Sequence, residues 1–151
     1  MKKLLLLIAL SFTLNANEQV EVNALEFEAD EKSRVSYFRG SVFIKKGKDE
    51  IKADLLKIDF DENNKPKIYD ASGDVTFKIT TSSQKYVGKS DHIIYEPTTK
   101  KYKAFGNVNI KETIKGQTLR GESIVIDRIS GKARLKGRKN RPVKFIFTVE
   151  E

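Results

Sequence analysis

Four glycines, Gly40, Gly73, Gly106 and Gly137, recur along the chain at intervals of 33, 33 and 31 residues. A period of that length is the mark of a repeated supersecondary unit, and it constrains the fold more than any single motif. Each of the first three glycines is followed at the second and fourth positions by apolar residues: Val42 and Ile44, Val75 and Phe77, Val108 and Ile110. Two positions before the four glycines stand Phe38, Ala71, Ala104 and Leu135. The alternation therefore runs straight through the glycine on one face, and a period of two predicts strand.

The other half of the unit starts with a small residue, then often an acid, an alternating apolar pair and a closing acid. The copies read Ala24, Phe27, Ala29, Asp30; Ala53, Asp54, Leu56, Ile58, Asp59; Ser90, Asp91, Ile93, Tyr95, Glu96; and Gly121, Glu122, Ile124, Ile126, Asp127. Polar turns are expected at 30–33, 61–65, 96–99 and 127–131, with connections between units at 46–49, 80–84 and 115–117. No stretch beyond the N-terminus carries a helical period, and β-branched and aromatic residues dominate the periodic segments. The expectation is an antiparallel meander of roughly eight to twelve strands, each about five to seven residues long. One unit cannot bury its apolar face alone, so the copies must share an interior. Four glycines in register predict a seam where the sheet bends. The fourth copy departs from the pattern, since Gly137 is followed by Arg138-Lys139-Asn140-Arg141-Pro142 before apolar residues resume at Val143.

The N-terminus reads as a secretory signal: Lys2 and Lys3, an uncharged run from Leu4 to Leu14, and a small-residue exit around Ala16. That run of eleven residues falls short of the roughly 20 needed to span a bilayer as a helix. Residues 1–16 are accordingly expected to be removed and 17–151 to form one domain. With no cysteine, neither a disulfide framework nor a lipid-modified N-terminal cysteine is available. The chain carries 29 Lys and Arg against 21 Asp and Glu, a net +8, and loss of Lys2 and Lys3 leaves +6. Such a balance favours anionic partners. Export, together with the absence of any recognition-module signature, argues against nucleic acid.

The unit just described resembles the repeat of the LptA/OstA family. Its best carriers are Ala53-Asp54-Leu55-Leu56-Lys57-Ile58-Asp59 with Ala71-Ser72-Gly73-Asp74-Val75, and Ser90-Asp91-His92-Ile93-Ile94-Tyr95 with Ala104-Phe105-Gly106-Asn107-Val108. The resemblance implies an all-β, twisted, incompletely closed antiparallel jelly roll whose apolar interior accepts the acyl chains of lipopolysaccharide. It also implies periplasmic residence, head-to-tail homo-oligomers, and strand addition to an inner-membrane LptC-like protein and an outer-membrane LptD-like protein. Two alternatives stay open: a membrane-anchored LptC-like member of the same system, and a structural envelope module with a filled interior and no ligand.

The candidate lipid-lining residues are Phe27, Phe38, Ile44, Leu56, Ile58, Phe77, Ile93, Tyr95, Phe105, Ile110, Ile126 and Phe145, which as a class are equally suited to packing a core. Arg134, Lys136, Arg138 and Arg141, with Lys139 among them, suit phosphate or carboxylate groups, since arginine forks match such anions bidentately. Cations on an edge strand also discourage unwanted pairing. His92, the only histidine, lies beside Asp91 but lacks companions for a metal site. Asp30, Asp59, Glu96 and Asp127 each stand where a turn begins and read as turn residues rather than a catalytic pair. No nucleophile motif or phosphate loop is present, so no enzyme activity, cofactor or metal is expected. The terminal segments 20–23 and 143–149 read as edge strands with no sequence neighbour beyond them.

Overall fold

The computed structural model describes residues 19–150, so the expected signal segment 1–16 lies outside the described residues. Among those residues the chain forms ten strands and no helix. They are β1 (Val20–Asn23), β2 (Glu26–Asp30), β3 (Val35–Lys46), β4 (Asp49–Phe60), β5 (Pro66–Thr80), β6 (Lys85–Glu96), β7 (Lys101–Glu112), β8 (Gln117–Asp127), β9 (Ala133–Lys136) and β10 (Lys144–Ile146). All pairings are antiparallel in one sheet, ordered β1-β3-β4-β5-β6-β7-β8-β10, with β2 also on β3 and β9 also on β8. The β1–β2 edge and the β9–β10 edge do not pair with each other, so the roll is open.

Six of the strands, β3 to β8, are 11 to 15 residues long, about twice the expected length. The reason is the glycine. Gly40, Gly73 and Gly106 do not end a strand; each takes φ near +80° and is followed by Ser41, Asp74 or Asn107, also at positive φ. Two residues on the glycine strand then oppose one on its neighbour, as where Arg39 and Val42 pair with Leu55 and Ala53. This is a β-bulge, which bends the strand and tightens its twist. Bulges on β3, β5 and β7 line up across the sheet and make the anticipated seam. Gly137 does not join them: its φ is not positive, and it lies beyond β9 against the backbone of Arg141, Pro142 and Val143.

The residue types of the unit follow from the bulge. Within the hairpins β4–β5 and β6–β7, a Cβ on Gly73 would stand 2.8 Å from the Cβ of Asp54, and one on Gly106 2.8 Å from the Cβ of Asp91. Glycine is thus required for both its φ and its neighbour. The acid can also hold the residue after the glycine: Asn107 Nδ2 donates to Asp91 at 3.0 Å, and Arg138 pairs with Glu122 at 2.8 Å in the fourth unit.

Beyond the seam the sheet coils back over itself, and both halves of the long strands contribute to one core. Val42, Ile44, Ile51, Val75, Phe77, Ile79, Val108 and Ile110 come from one half, and Leu56, Ile58, Ile93, Tyr95, Tyr102, Ile124 and Ile126 from the other. Burial of a side chain of this size contributes roughly 1.5–3 kcal/mol, so neither half is a viable sheet without the other. The turns are held locally. Asp30 accepts from the backbone of Lys32 and Ser33, and Asp127 from Ile129 and Ser130. In the second unit Asp61, rather than Asp59, caps the turn, accepting from Asn63 and Lys65; Asp59 lies within β4.

Candidate lipid-binding interior and its two open edges

Eight of the twelve candidate liners, Ile44, Leu56, Ile58, Phe77, Ile93, Tyr95, Ile110 and Ile126, sit together in the buried core. Phe38 is partly buried against its margin. The other three lie elsewhere. Phe27 on β2 faces Phe38, ring centroids 4.9 Å apart, but is 59% exposed and belongs to the mouth of the roll rather than its interior. Phe145 on β10 pairs with Leu119, rests on Phe147 and is 48% exposed, so it lies at the opposite edge. Phe105 points away from the core altogether. It follows inward-facing Ala104, and its ring stacks on His92 at 4.6 Å on the other sheet face. The even spacing of aliphatic residues around Gly106 shows which parity faces inward, and Phe105 falls on the wrong one.

The interior is filled by its own side chains. Among the described residues, the cavity bounded by Ile44, Ile51, Leu56, Ala71, Ile93 and Tyr95 measures about 20 Å³, room for roughly one water molecule. An acyl chain therefore requires the roll to part. Exposed apolar residues gather at both edges, Leu25 and Phe27 by β1–β2 and Val143, Phe145, Ile146 and Phe147 by β9–β10, while Ile114 and Ile129 are exposed in turns.

Two buried acids escaped the sequence reading. Asp49, where β4 begins, accepts from Tyr102 Oη at 2.8 Å, Arg128 Nε at 2.7 Å and Thr80 N at 3.0 Å. Burial, reinforced by the Asp49 carboxylate, raises the Tyr102 hydroxyl far above its ordinary pKa, so it stays a donor. Glu112, where β7 ends, accepts from the backbone N–H groups of Lys85, Ile114 and Lys115. Burial acts to raise its pKa, but those three N–H groups outweigh it and hold the carboxyl below its ordinary value. Their signal in the sequence was weak, being single acids at connections that look like ordinary polar turns.

The predicted cationic run is exposed throughout. Arg134 and Lys136 lie on β9, paired with Val125 and Ser123. Arg138 and Arg141 close a tight turn through backbone bonds of 2.9 and 3.0 Å, and Arg138 engages Glu122. These side chains rim one edge rather than converge on a point. His92 stacks on Phe105 and its Nε2 faces Asp70 rather than Asp91; among the described residues no three metal-ligating side chains converge.

The described chain superposes on the crystal structure of LptH, the LptA-homologous periplasmic component of the lipopolysaccharide transport device of Pseudomonas aeruginosa. The TM-score is 0.77 at 18% identity, covering 87% of this chain and 96% of that one. At that identity the likeness speaks for the fold. No curated protein matches the chain. Residues 21–132 match the family described as LptA/(LptD N-terminal domain) LPS transport protein, and the chain belongs to that family.

Proposed function

We propose that this chain is a periplasmic carrier of lipopolysaccharide, delivered there by removal of residues 1–16, whose domain 17–151 holds acyl chains in the apolar interior. It binds without catalysis. The observation that carries the reading is the open sheet with an apolar core and two edges of opposite charge. From 20 to 31 the chain has Glu21, Glu26, Glu28, Asp30 and Glu31 and no cation; from 132 to 144 it has Lys132, Arg134, Lys136, Arg138, Lys139, Arg141 and Lys144 and no acid. The acidic stretch contains β1 and β2 and the basic one β9 and the start of β10. Edge strands offer unpaired backbone groups, and opposite charge sets which edge meets which. A head-to-tail, heterologous contact follows, and such contacts build open filaments. The same edges would add to LptC-like and LptD-like partners, giving a bridge between the two membranes.

In this reading Ile44, Leu56, Ile58, Phe77, Ile93, Tyr95, Ile110 and Ile126 line the lipid once the roll parts, with Phe27, Phe38 and Phe145 at the margins. The experiment is co-purification of glycolipid, followed by titration of the delipidated protein with lipopolysaccharide. Saturable binding competed by free lipid A acyl chains supports the carrier. The filled 20 Å³ interior favours a second reading, a structural envelope module; no binding under any condition that leaves the fold intact would establish it.

A further inference from the structure

On the sheet face opposite the core, one cross-strand row runs through six neighbouring strands. It passes from Lys52 on β4 to Thr76 on β5, Lys89 on β6, Asn109 on β7, Arg120 on β8 and Lys144 on β10, each directly paired with the next. The adjacent row adds Lys78 and Lys111 on either side of Val87. At roughly 4.8 Å per strand the first row is about 24 Å long. It contains four cations and no acid.

This is a poor arrangement for stability alone. Opposite charges across neighbouring strands stabilise a sheet and like charges directly opposite oppose it, as Arg120 and Lys144 are, while of the two rows only Lys78 has an acid, Glu50, across from it. None of Lys52, Lys78, Lys89, Lys111, Arg120 or Lys144 forms a salt bridge with a described acid. The row is also recessed. Depressions of about 370 and 430 Å³ lie side by side along it as a shallow trough, both bordered by Lys89 and Asn109 and the second also by Arg141. The acids that touch it are Glu50 and Glu122, and Glu122 is held by Arg138.

We propose that this trough binds an anionic glycan, an extended sugar chain bearing phosphate or carboxylate groups. Cations alternating with a hydroxyl and an amide suit a ligand that alternates charged groups with sugar hydroxyls. A single-stranded nucleic acid would call for a series of stacking rings, whereas Phe77 in the trough is 2% exposed and Phe43, paired with Lys52 at one end, is the single ring on the row itself. The site lies on the opposite face from the acyl-chain interior and does not depend on that reading.

The test uses the mature full-length chain with polygalacturonate oligomers and a phosphorylated mannan as probes, followed by calorimetry and amide chemical shifts. Binding is expected to weaken as salt rises and to shift the amides of Thr76 and Asn109. The pair Lys89→Gln and Arg120→Gln should lose about tenfold or more in affinity, while Lys103→Gln, outside the trough, leaves it unchanged. Should the pair fail to fold by circular dichroism, Lys52→Gln with Lys144→Gln carries the same expectation. Equal binding of neutral dextran, undiminished binding by the folded variants, or binding to phosphatidylglycerol vesicles but to neither glycan overturns the proposal. Lipopolysaccharide titration of the same variants separates this outcome from failure of the carrier reading.

Discussion

Asp49 and Arg128 are 79 residues apart in the chain and 2.7 Å apart in the fold. Asp49 follows the turn that joins β3 to β4, whereas Arg128 belongs to the turn after β8, at the other end of the long strands. Their contact exists only because the sheet coils back at the bulges. It ties two rims of the roll together, with Tyr102 and the Thr80 backbone completing the carboxylate's shell.

Removing that carboxylate should therefore loosen the whole roll. For Asp49→Ala we expect a loss of about 3 kcal/mol, because a guanidinium and a hydroxyl are left facing an apolar interior. Urea unfolding would measure it. A loss below about 0.5 kcal/mol would mean that the clamp contributes no more than an exposed ion pair.

The glycines separate two physical effects. Gly106→Ala combines a φ of +80° with a Cβ placed 2.5 Å from Asp91 Oδ2 and should cost about 2 kcal/mol or more. Gly116→Ala has φ of +72° with nothing within 4 Å and should cost about 1 kcal/mol from the backbone alone. Equal losses in thermal unfolding would rule out the overlap with Asp91 as a contributor.

Glu112 makes stability depend on acidity. Its folded pKa lies below the ordinary 4.5, so near and below that value the unfolded chain binds more protons than the folded one. Its contribution is fully present above about pH 4.5 and is lost as pH falls through the folded value. The denaturation midpoint of the wild type should drop between pH 5 and 3, and Glu112→Gln should show a shallower drop from a lower starting point. Parallel pH profiles would contradict the assignment.

Phe77 and Ile110 test the interior. Both are buried, so Phe77→Ala should cost about 3–5 kcal/mol and Ile110→Ala about 2–5. Lysine at either position should abolish folding or ligand binding. Retained stability together with retained lipopolysaccharide binding in Phe77→Lys would disprove the placement of this face.

The edges should behave as complementary charged surfaces. Oligomers are expected to grow with protein concentration and to shrink between low and high salt, because exposed charges are screened within about 10 Å at 0.1 M. Reversing Arg134 and Lys136 to Glu should give smaller species by light scattering. Deletion of residues 145–151 should leave a less stable chain that no longer transfers lipopolysaccharide. Concentration-independent monomers at low salt would end the edge-to-edge proposal.

Local chemistry was enough to read strands joined by polar turns and the inward parity about the first three glycines, though not that strands continue through the bulge to as many as 15 residues. Val42 and Ile44 alternate about Gly40, Asp30 and Asp127 cap their own turns, and each such statement involves residues close in sequence. The family likeness was legible for the same reason, since a repeated unit announces itself at every copy, and the openness of the roll was what that likeness implied. Other features depended on chain segments far apart. Which acids crowd Gly73 and Gly106 is decided by strand pairing, which brings Asp54 and Asp91 beside them. The outward parity of Phe105 is local, set by Ala104 and Val108, but the ring it stacks on there, His92, is brought by the pairing of β6 with β7. Asp49 meets Arg128, and Lys52 joins a row ending at Lys144, only through the stacking of strands in one register and the coil of the sheet. A one-dimensional pattern specifies which face a side chain takes, whereas three-dimensional closure specifies which distant side chain it finds there.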